Sequence, residues 1–221
     1  MERRDLFVWI AGLFAFEAGA RDKASPAVIV KGDVKFSRTG KFTFRAHTRQ
    51  HSPGLIRVGK SAFLVSPDSD IELQHDDKFG VEILRLISGA VHSVFDPSVK
   101  SKRLVITPHA VIAIRGTAHY AEVLKQLDRT YTCCCYGHVT IRDTANQSLD
   151  IISKYHTAKV IDGKNGIADA PYDSPLNHYD DTLISVEAML GRVPRWSLPN
   201  QVPQFFAPPN IRDFVRRKIA N

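Results

Sequence analysis

Beyond its first twenty residues, the sequence contains no hydrophobic run long enough to cross a membrane. A transmembrane helix needs about 20 consecutive apolar residues, so the rest of the chain is expected to make at most peripheral membrane contact. The 221 residues also lack the G-x-S-x-G, H-E-x-x-H, Walker and dinucleotide-binding motifs of common catalytic and nucleotide sites. We therefore expect a protein that is not an enzyme.

The sequence also lacks a concentrated basic patch. Lysine and arginine number 30 against 23 acidic residues, which gives a formal net charge of +7. The basic residues stand singly along the chain, apart from a short run near the C-terminus, and aromatic residues do not interleave with them. Nucleic-acid binders cluster their positive charge on one face, so no nucleic-acid partner is expected. A hydrophobic content of 43% is that of an ordinary globular protein.

The first twenty residues have the pattern of an export signal. Two arginines precede an uncharged stretch from Leu6 to Phe16, and the small residues Ala18-Gly19-Ala20 follow. Basic, apolar and small residues in this order predict a signal peptide over residues 1–20. The alternative is an N-terminal core helix.

Short runs of β-branched and aromatic residues, separated by turn residues, dominate residues 27–161. They number about a dozen, and turns recur about every eight to twelve residues, which is typical of an all-β sandwich, barrel or solenoid. The first two runs lie on either side of Gly32-Asp33 and are predicted to form a hairpin or a close strand pair.

The pattern changes after residue 161. Residues 162–193 are predicted to form a loop and a helix that begins after Asn177 as N-cap. Asp180 and Asp181 fall in its first turn, where solvation accounts for their charge. Residues 194–221 are rich in proline, which excludes a central strand, and a short basic helix is predicted at their end.

Three motifs within residues 56–145 resemble the FecR domain. They are Ser88-Gly89-Ala90-Val91, the segment from Thr107-Pro108 to Arg115-Gly116-Thr117, and Tyr136-Gly137-His138-Val139. The resemblance implies a FecR-like β domain over residues 27–161 with these structural motif residues: Gly89, Thr107, Pro108, Arg115, Gly116, Thr117 and Gly137. A glycine after a strand fits a bulge or a close approach of two backbones.

Other stretches are similar to a subset of exported FecR-domain proteins from Gram-negative bacteria. The matching stretches are residues 130–137, Tyr155-His156 and residues 177–194, whereas Cys134 and Tyr155 depart from the pattern. The resemblance implies a periplasmic location. The best-known members pass a ferric-siderophore signal to an iron-responsive sigma factor through an anti-sigma segment and a membrane helix, and no stretch of this sequence matches those two parts.

The three cysteines of the sequence are consecutive. Successive side chains of a strand point to opposite faces, so Cys133 and Cys135 share one face and Cys134 takes the other. Their Cα atoms would lie about 6.5 to 7 Å apart, which disfavours a disulfide. Two thiols on one face supply half of a tetrahedral zinc or copper site, and His156 and His178 are the candidates for the other half. Plain packing and a redox role are the alternatives.

Together these features predict an exported FecR-domain protein with an all-β sandwich or solenoid-like fold, one C-terminal helix and a proline-rich tail. Its expected role is a binding, scaffold or signalling module of the cell envelope, with another envelope protein as partner. One alternative is a periplasmic zinc- or copper-binding protein. A second is a regulatory partner of an iron-responsive sigma and anti-sigma system, and a third is surface or polysaccharide attachment. Fold by itself does not choose among these roles, because one β scaffold can host many sites.

Overall fold

The computed structural model describes residues 28–76, 80–98, 102–116, 118–171 and 175–192, together with Pro194. These residues contain fourteen strands, a short 3-10 helix at Lys125–Leu127 and the helix α1 at Asp180–Ala188. The strands are β1 (Val28–Gly32), β2 (Val34–Arg38), β3 (Thr43–Thr48), β4 (Gly54–Val58), β5 (Ser61–Val65), β6 (Asp70–Asp76), β7 (Val81–Phe95), β8 (Lys102–Ile106), β9 (Ala110–Ile114), β10 (Ala118–Leu124), β11 (Arg129–Asp143), β12 (Ser148–Ser153), β13 (Thr157–Asp162) and β14 (Gly166–Asp169). No helix in this part of the chain has both the length and the apolar character needed to cross a bilayer.

The strands form two sheets that pack face to face, and two long strands belong to both. The first sheet has the order β1-β4-β5-β7-β10-β11-β13-β14. The second has the order β2-β3-β6-β7-β8-β9-β11-β12. Among the described strands, neighbours are antiparallel except for the parallel pair β7 and β8. The predicted all-β class is confirmed, and its form is a sandwich.

The long strands β7 and β11 bend from one sheet into the other at glycines. Residues 81–88 of β7 pair in the second sheet and residues 89–95 in the first, while β11 changes sheets at Gly137. Gly89 and Gly137 have φ angles of +78° and +111°, in the region that glycine adopts most readily. An added Cβ at Gly89 would also lie 2.1 Å from Oγ of Ser69. Both motif glycines therefore act where a strand passes between layers.

Apolar side chains form two layers, one between the sheets and one on the outer face of the first sheet. The inner core takes side chains from both sheets, including Phe63, Leu84, Val91, Ile112 and Cys134. The second layer, which we call the outer cluster, joins strand residues to α1 and includes Ala90, Val94, Tyr120, Tyr131, Cys133, Cys135, Leu183 and Val186. Because its side chains alternate, β11 contributes to both layers.

Helix α1 lies across β5 and β7 and covers the outer cluster. Its residues Leu183 and Val186 are buried in that cluster. The N-cap residue is Tyr179, whose side chain makes no capping hydrogen bond. Asn177, the predicted N-cap, instead has a φ of +52° and donates its amide to the carboxylate of Glu122. The predicted cap is therefore wrong, and tertiary contacts position the helix.

Two details of strand organisation also differ from the sequence-based expectation. β1 pairs with β4 and β2 pairs with β3, so the predicted hairpin of β1 and β2 is wrong. Gly32, with a φ of +92°, carries the chain from the first sheet to the second. The sheet continues past residue 161, because β14 pairs with β13. The predicted signal peptide and, apart from Pro194, the proline-rich tail lie outside the described residues.

Candidate metal centre

Four sulfur and nitrogen ligands converge beneath the start of α1. Cys133 and Cys135 come from β11, His156 from the turn between β12 and β13, and His178 from the segment just before α1. One ligand atom from each side chain lies within 4.8 Å of all the others. The structure thus brings together the four residues that the sequence suggested for a metal site.

The cysteines occupy the faces that strand alternation predicts. Cys133 and Cys135 lie in the outer cluster and Cys134 in the inner core, and all three are buried free thiols. The pairing of β10 with β11 shifts between Ala118 and His119, so Cys135 has no partner residue on β10. Such a bulge turns the strand locally and is common beside functional sites.

His156 connects a thiol to a carboxylate. Its Nδ1 lies 3.5 Å from Sγ of Cys133, and its Nε2 lies 3.0 Å from Oδ1 of Asp180. Its backbone N–H donates to the carbonyl oxygen of Cys135 at 2.9 Å. Burial opposes the charged imidazolium, but the hydrogen bonds with Asp180 and Cys133 outweigh burial and raise the pKa of His156 to about 9.

The two thiols of the cluster differ in their tendency to ionise. Burial opposes ionisation of Cys133, yet hydrogen bonds with Cys135 and His156 outweigh it and hold the pKa of Cys133 well below its usual value. Burial, followed by the hydrogen bond and the charge of Cys133, raises the pKa of Cys135. Of the two thiols, Cys133 is therefore the one that ionises more readily. A bound cation deprotonates a coordinating thiol outright.

His178 presents an unpartnered nitrogen to the cluster. Its ring stacks on Tyr120 with centroids 4.2 Å apart. Its Nδ1 lies 2.6 Å from the carbonyl oxygen of Leu176, so this nitrogen carries the proton and donates it. The other ring nitrogen, Nε2, is buried and has no hydrogen-bond partner among the residues that the structure describes. A buried polar atom without a partner is costly, and a metal ion would satisfy it.

Asp180 is a buried carboxylate that accepts hydrogen bonds from His156 and Tyr155 next to the cluster. It is only 7% exposed; Oδ1 accepts from His156, and Oδ2 accepts from the Tyr155 hydroxyl at 2.6 Å. Solvation therefore does not account for this carboxylate, contrary to the sequence-based interpretation. Histidines that bind metal commonly donate their second N–H to a carboxylate or a backbone carbonyl. His156 donates to the carboxylate of Asp180, and His178 donates to the backbone carbonyl of Leu176.

The geometry of the cluster fits a tetrahedral ion. With zinc–sulfur and zinc–nitrogen distances of about 2.3 and 2.05 Å, neighbouring sulfur and nitrogen ligands lie about 3.6 Å apart. Sγ of Cys133 and Nδ1 of His156 are 3.5 Å apart. Two thiolates and two imidazoles form the donor set of closed structural zinc sites. The cluster can therefore take such an ion with movements of about 1 Å.

The contacts among Cys133, His156 and Asp180 also have the order of a nucleophile, a base and an orienting carboxylate. A nucleophilic thiol, however, needs access to a substrate. Cys133 is 0% exposed and lies in the outer cluster with Leu183 and Val186 of α1, so a substrate could reach it only after side chains of that cluster moved. Burial of this kind suits a closed metal site better than a catalytic one.

The FecR-like motif residues that the structure describes are not among the four ligands. Oγ1 of Thr107 accepts from the backbone N–H of Ala110 at 3.1 Å, which closes the turn that contains Pro108. The backbone N–H of Arg115 donates to the carbonyl of His138 at 2.8 Å, and the Arg115 side chain is exposed. These contacts support the sheet.

The close approach of Gly116 to the backbone of β11 explains why a glycine interrupts this strand segment. An added Cβ at Gly116 would lie 2.6 Å from the backbone nitrogen of His138 and 2.7 Å from Cα of Gly137. The two chains can approach this closely only because one residue has no side chain. Thr117, the last residue of the motif, lies outside the described residues.

Sequence reasoning did not identify Asp180 or His92 as parts of the site. His92 lies on β7, between Ala90 and Val94 of the outer cluster, and its Nε2 is 3.5 Å from Sγ of Cys135. Alternation along β7 places all three side chains on one face. A polar residue among apolar neighbours on a buried face was the available signal for His92. The sequence held no comparable signal for Asp180, because its partner is 24 residues away.

No family model and no curated protein matches this chain. Two similar solved structures are both described as a "putative anti-sigma factor" from Parabacteroides distasonis. One aligns with a TM-score of 0.52 and 9% sequence identity, over 65% of this chain and 72% of that chain. The other has a TM-score of 0.47 and 9% identity, over 57% of this chain and 58% of that chain. The similarity to the first structure is one of fold.

Proposed function

We propose that this protein is a metal-binding module that holds one zinc ion through Cys133, Cys135, His156 and His178. The observation that carries the proposal is the nitrogen Nε2 of His178. It is buried without a hydrogen-bond partner of ordinary geometry among the described residues, and His178 offers a ring nitrogen within 4.8 Å of the two cysteine sulfurs and of a ring nitrogen of His156. An ion at their centre would satisfy all four ligands at once.

Charge favours zinc over copper. Two thiolates neutralise a divalent ion, whereas copper(I) would leave one net negative charge in a buried site that already borders the carboxylate of Asp180. Net charge that is buried without compensation costs free energy. Copper(II) prefers a square-planar arrangement of nitrogen and oxygen ligands, whereas two of the four ligands here are sulfur. Zinc also matches the tetrahedral spacing.

The proposed site is structural or sensory rather than catalytic. Catalytic zinc keeps an open position for water or substrate, whereas structural zinc takes four protein ligands. All four ligands here are protein side chains; Cys133, Cys135 and His178 are buried and His156 is partly buried. The ion would therefore act by joining three segments that are distant in sequence.

Metal analysis of the purified full-length protein tests the proposal. We expect about one equivalent of zinc per chain, and a Cys133→Ser/Cys135→Ser double variant that retains almost none. Cys134→Ala is the matched control, because it changes the neighbouring cysteine of the inner core, and it should keep the ion. Absence of metal from the parent protein after incubation with zinc would overturn the proposal, as would retention of zinc by the double variant. One equivalent of copper would keep the site and overturn the choice of ion.

We further propose that the module is exported and acts in the cell envelope as a regulatory or signalling protein, with another envelope protein as partner. Three observations support this second proposal. They are the motifs that resemble the FecR domain, the signal-peptide pattern of residues 1–20, and the fold shared with the structure described as an anti-sigma factor. The zinc site would then control a β domain that binds its partner without catalysis.

Export can be tested separately from metal binding. Residues 1–26 fused to a β-lactamase without its own signal should confer ampicillin resistance, because that enzyme protects cells only from the periplasm. Val8→Asp, which places a charge in the apolar stretch, is the matched control and should abolish resistance. A fusion that gives no resistance despite normal expression would contradict export. Unchanged transcription from iron-responsive sigma-factor promoters after gene deletion would contradict the sigma-factor role.

A further inference from the structure

A fifth side chain, His92, also contacts the cluster. Strand alternation places it on the outer face of the first sheet, where it is 1% exposed. Its ring packs edge-on against Tyr120 and His178, with centroids 5.7 and 5.6 Å away and interplanar angles of 83° and 86°. The ring is therefore fixed between a core aromatic residue and one of the proposed ligands.

The two ring nitrogens of His92 have different surroundings. Nε2 lies 3.5 Å from Sγ of Cys135. Nδ1 is buried, and no hydrogen-bond partner for it exists among residues 28–76, 80–98, 102–116, 118–171 and 175–192. A neutral imidazole carries one proton, on either nitrogen. A proton on Nδ1 would leave a buried N–H unsatisfied, at a cost in free energy, whereas a proton on Nε2 is donated to the sulfur.

Nε2 of His92 could donate a hydrogen bond to the cluster or bind the ion as a fifth ligand, and the surroundings of Nδ1 favour donation. If Nε2 of His92 bound the ion, its proton would move to Nδ1, which has no acceptor among the described residues. Donation from Nε2 to the thiolate of Cys135 avoids that cost. The four ligand atoms that lie within 4.8 Å of one another already supply the number of donors that a tetrahedral ion takes.

We infer that His92 is a positioning residue that donates its Nε2–H to Sγ of Cys135 and so holds that sulfur in place as a ligand of the ion. This inference rests on the proposed zinc site. The hydrogen bond places positive charge density beside the sulfur, which favours the charged thiolate. It also withdraws electron density from the metal–sulfur bond, an effect that spectroscopy can detect.

The test compares His92→Phe with His92→Gln in the full-length protein. Phenylalanine keeps an aromatic ring but has no donor, whereas the glutamine amide restores an N–H near the position of Nε2. Zinc affinity is measured by competition with a chelator of known affinity, and cobalt(II) is substituted to read the thiolate-to-metal charge-transfer band. We expect His92→Phe to weaken zinc binding by about 10- to 100-fold and to move the band to lower energy. His92→Gln should restore both readouts towards the parent values.

Three results would overturn the inference. Affinity and band position could stay unchanged in His92→Phe, or His92→Gln could lose affinity as fully as His92→Phe, which would indicate a packing role. In the third result, cobalt in the parent protein gives the weak visible bands of a five-coordinate ion, and cobalt in His92→Phe gives the intense bands of a tetrahedral ion. That result would make His92 a ligand. Absence of metal binding in the parent would instead overturn the proposed zinc site, so the two failures are distinguishable.

Discussion

Nε2 of His156 and Oδ1 of Asp180 lie 3.0 Å apart, and this contact joins the turn before β13 to the first turn of α1. The other ring nitrogen of His156 faces Cys133. When an ion displaces one proton of the His156 imidazolium, the carboxylate therefore keeps the remaining proton on Nε2 and leaves Nδ1 available to the ion. It also fixes the position of the helix relative to the ligand strand.

Replacement of Asp180 by asparagine should weaken metal binding without unfolding the protein. The amide keeps the size of the side chain but removes the charge that orients His156 and increases its basicity, so we expect zinc affinity to fall by about 10- to 100-fold. Chelator competition measures the change. Asp181→Asn is the matched control, because Asp181 is exposed in the same helical turn. Equal affinities for the two variants would contradict the role assigned to Asp180.

Removal of the ion should loosen α1 and leave the inner core intact. An isolated helix of nine residues is not stable in water, and without the ion one connection between β11 and the helix is lost. We expect amide hydrogen exchange within residues 178–188 to accelerate by about tenfold after chelation, equivalent to about 1.4 kcal/mol.

Strand β9 supplies the internal control for that experiment. It pairs with β8 and β11 on the far side of the sandwich, and its residue Ile112 is fully buried in the inner core. Its exchange should not change. Unchanged exchange in α1 after measured loss of the ion would show that packing alone holds the helix, through residues such as Leu183 and Val186.

Gly116→Ala should destabilise the protein by about 1–3 kcal/mol, because the new methyl group would overlap the backbone of β11. Urea denaturation measures the loss. Gly40→Ala is the control: an added Cβ there would meet only Thr43, at an ordinary contact distance of 3.5 Å. A Gly116→Ala protein as stable as Gly40→Ala would show that the backbones separate easily at this point.

His119 should make the fold sensitive to acid. It is fully buried, and burial lowers the pKa of its imidazole from 6.5 to about 4. Between these values the unfolded chain binds a proton that the folded chain does not, so stability is complete above pH 6.5 and falls as the pH decreases. The expected loss is about 1.5 kcal/mol between pH 6.5 and 5.

The measurement is the free energy of unfolding of His119→Gln and of the parent protein, at both pH values and with a chelator present. Glutamine does not titrate in this range, so the variant should lose less stability on acidification than the parent. Identical pH dependence would show that other groups control the response to acid. The chelator separates this effect from loss of the ion at low pH.

Local pattern sufficed for the strands and for part of the site. Alternation along residues 133–135 correctly separated two outer cysteines from an inner one, because the period of a strand is fixed by its backbone. The pairing of β1 and β2 was predicted wrongly, since a glycine between two strands allows either a hairpin or a crossing to another sheet. Gly32 makes the crossing.

The supporting residues of the site could not be predicted in the same way. Asp180 has the sequence context of a solvated helix start and becomes buried only because α1 docks on the first sheet. The role of His92 depends on β7 and β11 lying on either side of β10. Both roles require contacts between segments that are distant in sequence, about which composition and spacing carry no information.

The passage of β7 and β11 through both sheets has a consequence for how the domain folds. Neither sheet can form alone, because each contains one part of β7 and one part of β11. The remaining parts of these two strands belong to the other sheet. The sandwich is consequently one cooperative unit rather than two stacked modules. Strain introduced at either bend, Gly89 or Gly137, is shared by the first sheet, which contains the cysteines, and by the second sheet, which does not.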